Sequence, residues 1–138
     1  MARQGSLRMV VDSSAVLAFL LGEPDGDLYL EALASPERKL MSSLNHLEAA
    51  IVMEARKGPK GAAALSSLLV NAAIEILPFD ASQSEIALAA WRSFGKGNHP
   101  AALNLGDCAA YALAATLNES LLCKGQDFPK TDIVLYPI

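Results

Sequence analysis

The sequence predicts an α/β domain of three layers, with a short, largely parallel sheet between helices on both faces. Two observations carry this. Apolar runs of three or four residues alternate with longer helical stretches, an order that needs crossover connections and therefore parallel strands. The leading run, Met9-Val10-Val11, is also continuously apolar, as in a strand buried on both faces. A chain of 138 residues has room for one such domain, residues 1–138, and one real core.

The elements follow in order. Residues 7–12 read as the first strand, ending at Asp12. Asp12-Ser13-Ser14 offers N-cap oxygens for a helix through Leu21, where Gly22 and Pro24 stop it. A helix over 25–34 precedes a weak strand, Lys39 to Ser42. A long helix over 43–57 ends at Gly58-Pro59, and another fits 60–72. Ile74 to Leu77 is a strand stopped by Pro78, and Ala81 to Phe94 a helix. Gly95 to Pro100 is a loop by composition. Gly106 to Leu117 is a strongly apolar helix, Ser120 to Cys123 a short strand, and Ile133 to Leu135 a last one. Residues 1–7 read as an extension before the fold.

Composition excludes several classes. Hydrophobic residues are 52% and charged ones 19%, which is not the balance of a disordered chain. Two cysteines without a CxxC make neither a disulfide framework nor a zinc site, and free thiols fit a reducing cytoplasmic setting. Asp12 interrupts the N-terminal apolar stretch, which argues against a leader peptide, and no apolar run is long enough for a membrane span. The net charge of −4 argues against binding nucleic acid by bulk positive charge, but leaves room for a carboxylate site that holds cations. The two histidines, His46 and His99, form no Ser–His or Cys–His signature, and Cys108 reads as a small core residue.

Function is sought where charge breaks the apolar pattern. Asp12 ends the first strand, where ligands bind in open α/β sheets, although Asp is also a favoured N-cap. Glu48 shares a helix face with Leu44, Ile51 and Val52, so it faces the core or a cleft at its edge, paired with a base or with a metal. Asp107 is the one charge of its helix, placed at the tip. That placement suits the macrodipole and would equally present a site acid. Asp127 follows the strand Ser120 to Cys123, in a surface turn or on the same sheet edge. Without these four, the 11 remaining acids equal the 11 bases. If the four converge, their repulsion calls for divalent cations, and all-oxygen ligands suit Mg²⁺ or Mn²⁺.

Four segments, in order along the chain, resemble the PIN-domain family, and within it the VapC-type toxin ribonucleases. They are Val10-Val11-Asp12-Ser13-Ser14-Ala15, Leu44 to Ala49 around Glu48, Asn104-Leu105-Gly106-Asp107 with the helix to Ala114, and Lys124 to Phe128 with Thr131-Asp132. Phe94 to Pro100 is similar to a loop of one VapC branch. Where relatives carry Thr and a further polar residue in the late loop, this chain has Cys123 and Gly125. The resemblance implies a PIN-like Rossmannoid three-layer fold and metal-dependent hydrolysis of RNA phosphodiesters. It also implies a homodimer and a small VapB-type antitoxin. Asp12 and Asp107 are then expected to bind metal directly, with Glu48 completing the site or orienting water and Asp127 supporting a second ion. Ser13 is expected to donate to the scissile phosphate or a ligand, or to serve as a cap. Lys124 is a candidate for RNA phosphates beside Lys96, Lys130 and Arg92. Two other readings are a receiver-like phosphoacceptor, for which Asp12 lacks a neighbouring acid, and an inactive PIN-like binding module.

Overall fold

The computed structural model describes residues 7–138. The expected extension, residues 1–7, lies outside these apart from Leu7, whose carbonyl accepts from the Arg38 amide at 3.0 Å. The elements are β1 (Arg8–Val11), α1 (Ser13–Leu20), α2 (Gly26–Leu33), β2 (Arg38–Ser42), α3 (Ser43–Lys57), α4 (Pro59–Asn71), β3 (Ile74–Leu77), α5 (Ala81–Phe94), α6 (Leu105–Leu117) and β4 (Ser120–Leu122). A single 3₁₀ turn, Phe128–Lys130, follows. Expected and observed boundaries agree to within a residue or two.

All strand pairs are parallel, in the order β3-β2-β1-β4. The chain steps outward from β1 to β2 and β3, then returns across β1 to β4. Right-handed crossovers in the two directions must lie on opposite faces. Accordingly, α1 to α4 pack with Met9, Val11, Met41 and Leu122 on one face, while α5 and α6 pack with Val10 and Leu121 on the other. Neighbouring residues of β1 and β4 thus enter opposite cores, which is why Met9 to Val11 and Leu121-Leu122 are continuously apolar. The reversal of direction between β1 and β4 makes their carboxyl ends a topological switch point, where ligands bind in open α/β sheets. There the Asp12 amide donates to the Leu122 carbonyl at 2.9 Å.

Two expectations are corrected. The last strand is a single bridge, Leu121 with Leu135, because β4 is three residues long and only Leu121 exchanges hydrogen bonds with the tail. On α3 the core stripe is Asn45, Ala49 and Met53, whereas Leu47 and Ile51 are 53% and 60% exposed. The helix carries two apolar stripes, and the fold buries the one with the smaller residues. Glu48, between the stripes, sits half-buried.

Candidate active site

Asp12 is 3% exposed at the carboxyl end of β1 and caps α1. Its Oδ2 accepts from the Ser14 amide at 3.1 Å and from the Ser14 hydroxyl at 2.5 Å. Its Oδ1 is buried with no hydrogen-bond partner among the described residues. Burial, and then the charges of Asp107 and Glu48, raise its pKa from 3.8 to about 7 against the Ser14 bonds that lower it. Among the described residues, no base offsets that burial.

Asp107 stands three residues into α6, in a reciprocal capping box with Asn104. Each side chain accepts from the other residue's amide, at 2.9 and 3.0 Å. Only Oδ2 of Asp107 takes part, so Oδ1 has no partner among the described residues. Burial raises its pKa, the cap amide lowers it, and the charges of Asp127 and Glu48 raise it further. Asp12 and Asp107 therefore play the cap roles their positions suggest, each with one oxygen. The second oxygen of each is left over.

Glu48 is held from two sides. Ser13 donates to its Oε1 at 2.5 Å, and its carboxylate lies over the α-carbon of Gly106. A Cβ at that position would meet the Glu48 Cδ at 2.7 Å, so the glycine is the seat of the carboxylate. Beside it, the buried Asn45 amide donates to the Gly106 carbonyl at 2.9 Å, tying α3 to the first turn of α6. Asp127 is exposed at the head of the 3₁₀ turn, within electrostatic reach of Asp107. Cys123 lies against the same group. Its thiol is pushed up to about 12 by burial and by Asp12 and Asp107.

The fold thus brings Asp12, Glu48, Asp107 and Asp127 to one end of the sheet, with Asp107 coupled to the other three. Among the described residues, no three His, Cys, Asp or Glu side chains are grouped closely enough to hold a metal ion as they stand. Asp12 and Asp107 nevertheless suit a cation, since each offers an oxygen without a partner and the donor set is all oxygen. Ser13 is turned to Glu48. The Lys124 ammonium is engaged by Glu23 and Asp25 at 2.5 and 2.7 Å. Sequence reasoning misses Ser14, Asn45 and Gly106 as site residues. All three lie within segments that carry the resemblance, but Ser14 reads as a cap and Gly106 as a helix start. Asn45 carries a signal in retrospect: a polar residue in register with Ala49 and Met53.

A group of carboxylates at the switch point of a four-stranded parallel α/β/α sheet defines the class. The PIN domain profile matches residues 9–134. Over 125 residues the chain is 44% identical to ribonuclease VapC30 of Mycobacterium tuberculosis, covering 91% of this chain and 95% of that protein. Among solved structures, it resembles the M. tuberculosis sarcin-ricin-loop-cleaving toxin VapC20, with a TM-score of 0.73, 18% identity, and coverage of 91% and 96%. It also resembles VapBC2 of Rickettsia felis bound to promoter DNA, with a TM-score of 0.73, 16% identity, and coverage of 94% and 98%. This chain belongs to the PIN-domain family.

Proposed function

We propose that the protein is a VapC-type endoribonuclease dependent on Mg²⁺ or Mn²⁺, the toxin of a pair whose partner is a VapB-type antitoxin. The observation that carries the reading is the buried Asp12 carboxylate with an unpartnered oxygen, coupled to Asp107, in a chain this similar to a ribonuclease. Asp12 and Asp107 would hold the metal, with Glu48 completing the site and Asp127 supporting a second ion. A bound divalent cation supplies charge neutralisation at the phosphate and a water of lowered pKa.

The protein's own groups do the rest. Asp12 and Asp107 keep their cap oxygens on the backbone, which leaves the other oxygen of each for the metal. Ser13 fixes the Glu48 carboxylate as an acceptor, and Gly106 leaves room for it. Lys96, Lys130 and Arg92 are exposed and suit RNA phosphates, whereas Lys124 is already engaged by acids.

The test uses purified chain, free of antitoxin, on total RNA with Mg²⁺, Mn²⁺ or EDTA. Discrete cleavage is expected with metal and none with EDTA. Asp107→Asn should lower it by at least about 100-fold, more than the loss of an outer-shell partner costs. Cleavage that persists in EDTA, or in a folded Asp107→Asn variant, defeats the reading.

A homodimer would have a surface available to it on α3. Leu47, Ile51 and Ala55 recur at four-residue spacing on α3, and Leu105, 73% exposed, continues the apolar strip. Rows at this spacing mate with a second copy of themselves across a twofold axis. Ile51→Glu is expected to move the light-scattering mass from two chains to one, and a dimer that survives the change would place the seam elsewhere.

A further inference from the structure

Lys124 connects the acid site to a turn far from it in sequence. Its ammonium donates to Glu23 Oε1 and Asp25 Oδ1, both in the turn between α1 and α2. All three side chains are about a third exposed, at 31, 35 and 37%. The backbone amide of the same residue donates to Ser14 Oγ at 2.9 Å, and Ser14 Oγ lies 2.5 Å from Asp12 Oδ2. A hydroxyl has one proton and two lone pairs. One Ser14 lone pair accepts from the Lys124 amide, and because an ionised carboxylate oxygen can only accept, the single Ser14 proton goes to Asp12 Oδ2. Asp12 Oδ2 is thereby fixed by two donors from Ser14, and Oδ1 is left as the oxygen without a partner. Lys124 also begins the loop to Asp127, since Gly125 turns the chain with φ of +117°. A second tie reaches this strand end from α2, where the Tyr29 hydroxyl donates to the Cys123 carbonyl at 3.3 Å.

We propose that Glu23 and Asp25 are positioning residues for the acid site. They anchor the Lys124 side chain, which holds its amide against Ser14 and so orients Asp12 for metal. The proposal rests on the reading of Asp12 as a metal ligand.

Position and charge predict opposite signs, which makes the idea testable. Loss of the Lys124 cation leaves the site more negative, so by long-range electrostatics alone Lys124→Met would bind a cation more tightly. If Lys124 positions Asp12, Lys124→Met binds it less tightly. The experiment is Mn²⁺ titration without RNA, followed by electron paramagnetic resonance, on the parent, Lys124→Met, Lys124→Arg, Glu23→Gln/Asp25→Asn and Asp12→Asn.

Lys124→Met and the double variant are each expected to weaken Mn²⁺ binding by about 10-fold, the range of outer-shell partners. Lys124→Arg keeps the anchor and stays near the parent. Hydrogen exchange at the residue 124 amide is expected to be slow in the parent and Lys124→Arg, and fast in Lys124→Met. Binding by Lys124→Met as tight as the parent's or tighter, with Asp12→Asn losing Mn²⁺, overturns the anchor alone. An equal loss in Lys124→Arg also overturns it. Parent-like binding by Asp12→Asn removes the metal-site reading and the proposal with it. If Lys124→Met does not fold, the residue 124 amide of the double variant decides: fast exchange there is expected, and exchange as slow as the parent's overturns the anchor, whereas its Mn²⁺ loss alone would also follow from removing two negative charges.

Discussion

Asp12→Asn is expected to melt several degrees above the parent at pH 8 in EDTA, and to cleave no RNA. Both effects have one cause. The parent buries a carboxylate whose Oδ2 is satisfied by Ser14 and whose Oδ1 is not, with Asp107 and Glu48 nearby. The folded state raises the Asp12 pKa from 3.8 to about 7, so between those values it binds more protons than the unfolded chain. Stability then falls as pH rises. The contribution is fully present below pH 3.8 and is lost as pH passes through about 7. The shift corresponds to roughly 4 kcal/mol at most. The raised pKa of Asp107 acts in the same direction, and the lowered pKa of Asp25 acts oppositely at the acid end.

Asparagine keeps an oxygen for the two Ser14 donors and removes the charge, though its amide group then lacks a partner. The net gain at pH 8 is therefore smaller, about 1–3 kcal/mol. Thermal melts against pH measure it. The parent should lose stability from pH 4 to pH 8 and the variant should lose much less. Saturating Mn²⁺ should raise the parent's melting temperature and leave the variant's unchanged, since only a state that binds the ion is stabilised by it. A variant less stable than the parent at pH 8, with the same pH slope, would contradict the account.

Gly106→Ala is expected to separate activity from stability in the same way. A methyl group there collides with the carboxylate end of Glu48, and that side chain can swing away. Alanine is better than glycine in a helix interior by about 0.5–1 kcal/mol, an upper bound at the second residue of α6, and losing the Ser13–Glu48 bond costs about as much. The variant should therefore fold about as well as the parent. Its Glu48, displaced from Ser13 and from the edge of Asp107, should support cleavage about 10–100-fold more slowly. Melting temperature and initial rate on one RNA, measured side by side, decide it. Parent-like rates would mean that the Glu48 position seen here is irrelevant to turnover.

Much of the fold was legible because its signals are local or strongly periodic. The apolar runs at Met9 to Val11 and Ser120 to Leu122 cannot be half-exposed strands, and Gly58-Pro59 and Pro78 end their elements by backbone geometry alone. The buried face of α3 was not legible. Leu44, Leu47 and Ile51 make as good a stripe as Ala49 and Met53, and only the space beneath the helix chooses between them. The Ile133 to Leu135 strand failed because its partner is too short to pair along its length.

The candidate site divides along the same line. Residue type and chain position were enough to mark Asp12 at a strand end, Asp107 at a helix tip and Glu48 on a helix edge, because caps and termini depend on neighbours within three or four residues. The caps of Asp12 and Asp107 are likewise local, two and three residues away, but long-range packing supplied the partners around them. Ser13 meets Glu48 across 35 positions, and Ser14 meets the Lys124 amide across 110. Lys124 turned to Glu23 and Asp25 because they, 101 and 99 positions earlier, arrive beside it when β4 docks against β1. Such pairings follow from the crossovers, which set which chain ends meet, and no spacing along the chain encodes them.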